Sequence, residues 1–88
     1  MCFVYILRCR DGSLYTGVTT DVARRLSQHQ CGKASKYTRT RLPVTLCWTR
    51  QLPSWSAALS EEHRIKGLSR AEKETLLHLS LGEESCAL

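Results

Sequence analysis

The sequence predicts an α+β fold: a small three-stranded antiparallel sheet flanked by helices in the order β-β-α-β-α-α. Three observations predict it. Two strand-like runs, "CFVYILRC" and "SLYTGVT", flank a short "RDG" turn, as in a hairpin. Apolar residues then recur at helical spacing after Asp21, Ser54 and Ser69. Between the first two helices, "VTLCW" after Pro43 reads as one more short strand. This is a sheet with a helical layer, built around one core.

The first strand is β-branched and aromatic, with few polar residues. Its turn admits two registers. A two-residue Asp11-Gly12 turn pairs Arg8 with Tyr15 and puts Tyr5 and Tyr15 on opposite faces. A three-residue Arg10-Asp11-Gly12 loop, with Gly12 in the left-handed region, pairs Cys9 with Ser13, Leu7 with Tyr15 and Tyr5 with Gly17. Side chains alternate with period two, so only the second register puts both phenols on one face. It also lets the Tyr5 ring lie across a glycine.

Thr20 or Asp21 can cap the next helix, from Val22 to about Cys31. Steps of about 100° group Val22, Leu26 and His29, with Arg25 on the edge of that stripe. Arg25 and His29 therefore sit one turn apart beside the packed face, where polar groups need partners. "QCGKASKYTRTRLP" reads as a basic loop carrying Lys33, Lys36, Tyr37, Arg39 and Arg41. Ser54 starts a helix through "WSAALSEEHRIK" that Gly67 ends. On it Trp55, Ala58, Leu59, Ile65 and Lys66 share a broad face with Glu62 in its middle and Glu61 off its edge. "SRAE" is a capping box for a last helix from Ser69 to about Leu81, and residues 82–88 read as a frayed tail.

At 88 residues and 42% apolar content the chain fits a single domain, over residues 1–81, with one modest core. It has no apolar run of roughly 18 residues and no signal-peptide pattern at its start, so the expectation is a cytoplasmic protein with no membrane association. Five scattered cysteines without CxxC spacing argue against zinc and against a disulfide framework, and for reduced thiols packed as small hydrophobes. Charge is one-sided. Residues 1–50 hold nine Lys/Arg against two Asp, a net +7, whereas residues 51–88 hold four against six Glu, a net −2. Such a field suits a polyanion, of which nucleic acid is the commonest.

Taken singly, these residues have ordinary explanations: a sheet tyrosine, a hydrogen-bonded core histidine, a structural ion pair at Glu62. Together, two phenols, a guanidinium, an imidazole and a carboxylate are the parts of a metal-assisted phosphodiester hydrolase. Arginine grips phosphate in bidentate fashion and stabilises growing negative charge. One carboxylate plus water and substrate oxygens suits magnesium. A phenol or an imidazole can take a proton from the attacking water, and the phenol, near 10 unperturbed, would need nearby cations to lower its pKa.

The ordered motifs make the likeness specific. "VY" at Val4-Tyr5 and "YTG" at Tyr15-Thr16-Gly17 resemble the two halves of the GIY-YIG nuclease signature. "TTDVARRLSQH" resembles that family's helix, "ALSEEHRIK" its acidic helix, and "GKASKYTR" the loop of its small single-domain bacterial members. The match spans roughly residues 2–77. It implies a nuclease fold and divalent-metal-dependent cutting of DNA with Mg²⁺ or Mn²⁺. It also favours the three-residue hairpin loop, since the family keeps both tyrosines in one site.

Carried across, Tyr5 is the candidate general base or water-orienting group, and Tyr15 contacts the nucleophile or phosphate. Arg25 grips the scissile phosphate, His29 is a candidate proton relay, and Glu62 is the metal ligand. Lys33, Lys36, Tyr37, Arg39 and Lys66 are candidate substrate contacts, Tyr37 by stacking on a base. Phe3 and Val4 replace the first glycine and isoleucine of the signature, removing no reacting group. The asparagine some members place after the glutamate has no counterpart. Larger members carry a separate DNA-targeting domain, so weak or structure-based target choice is expected here, with a role in DNA repair or recombination and RNA not excluded.

The alternative is a non-catalytic nucleic-acid-binding module on the same scaffold, with three or four phosphate contacts and a salt slope of about −3. Protein partners are not legible. An exposed Trp48 or Trp55 would be the sign of an adaptor surface, and both are expected in the core.

Overall fold

Residues 1–77 are described in a computed structural model of the chain; the expected end of the last helix near Leu81 and the tail 82–88 lie outside them. The elements are β1 (Cys2–Arg8), β2 (Leu14–Thr19), α1 (Val22–Gln30), α2 (Lys36–Arg39), β3 (Thr45–Leu52) and α3 (Trp55–Lys66). A further helix, α4, is described over residues 70–77. The sheet order is β2-β1-β3, with β1 antiparallel to both neighbours.

The hairpin takes the three-residue loop. Leu7 faces Tyr15 and Tyr5 faces Gly17. Cys9 donates to the Ser13 carbonyl at 2.8 Å, and Gly12 sits at φ +86°, a conformation that costs glycine little. Asp11 finishes the turn by accepting from the Ser13 backbone N–H at 3.0 Å.

The single helical layer expected from the sequence is corrected to two. Cys2, Val4 and Ile6 project to one side of β1, into a core with Trp48, Ala58, Ile65 and Leu77. Tyr5, Leu7 and Cys9 project to the other, against Val44, with Leu26 of α1, Leu42 and Leu46 packed around them. A central strand covered on both faces has no polar side to show, which is why "CFVYIL" lacks alternation. Val4, Ile6 and Leu7 are fully buried, each contributing about 1.5–3 kcal/mol.

Caps fall where sequence chemistry places them. Asp21 accepts from Arg24 N–H at 3.1 Å, and Ser54 from Ala57 N–H at 3.1 Å. Ser69 and Glu72 exchange reciprocal bonds at the start of α4. Arg8 ties α4 to the end of β1 through Glu74 at 2.6 Å and 3.2 Å, holding that carboxyl down at about 2. The expected basic loop is not all loop. Ser35 caps α2 by accepting from Tyr37 N–H at 3.1 Å, and this one turn points Thr38 inward.

The broad face of α3 also divides. Ala58 and Ile65 are fully buried, but Trp55 and Leu59 stay 47% and 42% exposed, because the sheet covers only part of so wide a stripe. Trp48 is in the core as expected; Trp55 is not. Among the cysteines Cys2 and Cys9 are buried, whereas Cys31 is exposed and Cys47 half-buried.

Candidate functional site

The hairpin register delivers both phenols to one face of the sheet, with ring centroids 6.4 Å apart. Tyr5 reaches its position by crossing Gly17. A Cβ on Gly17 would stand 2.5 Å from the Tyr5 hydroxyl oxygen and 2.6 Å from the ring carbon bearing it. No rotamer adjustment at a strand residue relieves such an overlap while the ring stays in place. Gly17→Ala is therefore expected to cost about 1–3 kcal/mol, read as a lowered midpoint in urea, and to displace the hydroxyl from its partners.

Those partners come from α1. Its helical spacing aims Arg25 and His29 at the same phenol: Arg25 Nε donates to the Tyr5 oxygen at 3.4 Å, and His29 Nε2 lies 2.9 Å from it. On its other side His29 Nδ1 lies 2.8 Å from Thr38 Oγ1, and the Thr38 hydroxyl lies 3.4 Å from the Ser35 carbonyl. With Nδ1–H donating to Thr38 Oγ1, Nε2 is the nitrogen that accepts from the Tyr5 hydroxyl; the opposite tautomer reverses both bonds. The result is a fixed chain from Arg25 through Tyr5 and His29 to Thr38, in which His29 and Thr38 are fully buried and Tyr5 is 2% exposed.

Burial sets the protonation states. It raises the Tyr5 phenol above its ordinary value; the Arg25 hydrogen bond opposes this without overcoming it, while the neighbouring Tyr15 and the charge of Glu62 push further upward. The expectation that cations lower this pKa is thus corrected. His29 is pushed below its ordinary value, first by burial and then by the positive charge of Arg25. At neutral pH both groups are uncharged, with a proton poised between them.

Tyr15 meets the His29 ring edge-on at 5.1 Å, and Tyr37 stacks on Tyr15 at 6.0 Å. The Arg41 guanidinium covers Tyr37 at 4.1 Å, fixed by Asp11 at 3.1 Å and by the Tyr37 carbonyl at 2.8 Å. The Tyr37 ring is thus already stacked from within the protein. Lys33, Lys36 and Arg39 are exposed on the same segment. Sequence reasoning missed Thr38 as the partner of His29 and Arg41 as the clamp of Tyr37. The signal for Thr38 was Ser35 in "ASKYTR", a helix cap that turns the third residue after it inward.

Glu62 on α3 is half-buried, with its side chain 19% exposed, and its partner is Lys66 Nζ at 3.4 Å. Its charge is the smallest of the influences that raise the Tyr5 phenol. Glu61 differs: it binds Arg64 and, at 2.6 Å, Arg50 of β3, and these guanidiniums hold it below the usual carboxylate range. Glu61 docks α3 on the sheet, whereas among the described residues Glu62 is held only by one exposed lysine. A lone carboxylate with a weak competitor fits Mg²⁺, which takes one or two carboxylates and keeps water and phosphate oxygens for the rest.

The model of the GIY-YIG catalytic domain matches residues 1–75. The chain is similar to a UPF0213 protein of Halobacterium salinarum, 54% identical over 76 residues that cover 86% of this chain and 99% of that one. A UPF0213 protein of Streptococcus sanguinis is 55% identical over 71 residues, 81% and 82% of the two chains. Among solved structures, the solution NMR structure of the UPF0213 protein BH0048 from Bacillus halodurans is 51% identical, with a TM-score of 0.59 over 90% of this chain and 85% of that one. That of protein EF2693 from E. faecalis is 35% identical, with a TM-score of 0.58 over the same shares.

Proposed function

The chain belongs to the GIY-YIG family, a nuclease superfamily, and from that premise we propose that it is a divalent-metal-dependent endonuclease hydrolysing phosphodiester bonds in DNA. One observation carries the reading: the Tyr5 hydroxyl is held between the Arg25 guanidinium at 3.4 Å and Nε2 of His29 at 2.9 Å.

This is a proton path with a phosphate grip at its mouth. With His29 in the Nδ1–H tautomer, a water oxygen bonds to phosphorus as the bond to the departing sugar oxygen breaks; the water proton passes to the Tyr5 oxygen, the proton of Tyr5 passes to His29 Nε2, and the departing oxygen takes a proton from solvent. The phenol begins and ends neutral, so its raised pKa is no obstacle. The imidazolium formed keeps Nδ1–H on Thr38. Because burial and Arg25 disfavour that cation, it gives up its proton readily once product leaves. Arg25, anchored by Tyr5 and by Gln28 at 3.2 Å, aims its remaining N–H groups at the phosphate, where charge grows in the transition state. The Tyr15 hydroxyl, which has no hydrogen-bond partner among the described residues, orients the nucleophile or a phosphate oxygen. Mg²⁺ or Mn²⁺ held by Glu62 would supply Lewis-acid stabilisation of the same charge. Lys33, Lys36, Arg39 and Lys66 give the backbone attraction that needs no sequence, consistent with weak or structure-based target choice in repair or recombination.

The test is nicking of supercoiled plasmid by purified protein. Relaxed and linear products are expected with Mg²⁺ or Mn²⁺ and none with EDTA. Plasmid, branched DNA and single strands all left intact under both metals would overturn the reading.

A further inference from the structure

Beside the Tyr5 cluster, on the outer side of Arg25, lies a groove of about 430 Å³, within the roughly 300–1,000 Å³ of ordinary ligand clefts. Its walls are Val18 at the end of β2, Arg24, Arg25 and Gln28 of α1, and the indole of Trp55. The acid on its rim, Asp21, spends its carboxylate on capping α1. The groove is therefore cationic on one side and aromatic on the other. Trp55 is 47% exposed at the first position of α3, with a π-face that no aromatic partner or guanidinium covers among the described residues.

We propose that this groove is a subsite for an unpaired nucleobase adjoining the scissile phosphate, with Trp55 as its stacking wall. The inference rests on the nuclease reading and names its substrate: a strand whose base is free to leave the stack. Continuity supports it, because the same guanidinium that contacts Tyr5 lines the groove, so a phosphate on Arg25 places the neighbouring base against the indole. Helical spacing supports it too. Trp55, Leu59, Glu62 and Lys66 follow one another on one stripe of α3, about 10 Å of axis separating Trp55 from Glu62. Arg24, exposed and without a hydrogen-bonded side-chain partner among the described residues, adds charge for the backbone. A base inside a duplex has both faces covered by its neighbours and cannot use the indole, whereas any unpaired base can. A protein partner would bury Trp55 and Leu59 equally well, but it would not call for two arginines beside them.

The experiment is anisotropy of labelled oligo-dT and oligo-dA, their ribose counterparts and a duplex hairpin, all in EDTA so that nothing is cut. Trp55→Ala is expected to weaken binding of single strands about five- to a hundredfold and of the hairpin less than twofold, with Trp55→Phe restoring most of the loss. Indole emission should be quenched by single strands in wild type, since Trp48 is buried. The ribose arms decide between DNA and RNA as the source of the base. Equal losses on single strand and hairpin, or no loss on either, overturn the subsite. So does a Trp55→Ala change in sedimentation without change in nucleic-acid affinity, which would give the indole to a protein contact. Plasmid nicking by wild type is scored apart: cutting without the single-strand loss removes the subsite and keeps the hydrolase, and the reverse pattern removes the hydrolase alone.

Discussion

Arg25→Ala is expected to lower kcat for DNA cleavage by about 10²–10³, with a much smaller change in affinity. Arg25 is one of many cations on the first half of the chain, so losing it removes about one phosphate contact's share of binding. It is the only guanidinium among the described residues that bonds the Tyr5 oxygen, so chemistry suffers far more than binding. The pH profile separates this from simple structural damage. Arg25 helps to hold His29 below its ordinary pKa, so its removal moves the acid limb of the rate profile to higher pH. Arg25→Lys keeps the charge and is expected to recover only part of the rate, because an ammonium has no planar fork. A loss confined to KM, with kcat and the acid limb unmoved, would give Arg25 an ordinary binding role.

Glu62→Gln is expected to remove metal-dependent cutting, by about 10³-fold or more, the scale of several kcal/mol of charge stabilisation. The fold should tolerate it. The Glu62–Lys66 pair is a surface ion pair at i,i+4, worth roughly 0.3–0.5 kcal/mol. Duplex affinity in EDTA should stay within about twofold, and Mn²⁺ binding followed by electron spin resonance should fall away. The neighbouring carboxylate supplies the control. Glu61→Gln breaks the contacts to Arg50 and Arg64 and is expected to cost about 1–2 kcal/mol of stability while the folded fraction still cuts. Loss of cutting in Glu61→Gln with activity retained in Glu62→Gln would exchange the two roles.

The hairpin shows why much of this site was legible in the sequence. Loop length fixes register and register fixes faces, but "RDG" admits two loop lengths, and the likeness of the motifs to the nuclease signature is what favoured the one in which Tyr5 and Tyr15 meet. The four-residue step from Arg25 to His29 is local, as are the Asp21, Ser54 and Ser69 caps. Three features were out of reach for different physical reasons. Thr38 lies in a polar, basic run whose composition looks solvated, and only the short α2 turn buries it against His29. Trp55 belongs to an apolar stripe wider than the sheet can cover, and the helical wheel does not say which part stays outside. The protonation of Tyr5 depends on burial outweighing its hydrogen bond from Arg25, a contest between two long-range quantities that no spacing encodes. The second helical layer, by contrast, was written in the unbroken apolar run from Cys2 to Leu7 of β1.

The relay is tested most directly by the single-turnover cleavage rate as a function of pH, in wild type and in His29→Gln. Neutral His29 is the working form and its pKa is depressed, so the wild-type rate should be level through neutrality and fall only as pH drops below about 6.5. His29→Gln should lose that acid limb together with most of the rate. A wild-type rate that keeps climbing beyond pH 9 toward the titration of a phenol, with the same slope in His29→Gln, would contradict the relay and make Tyr5 itself the base.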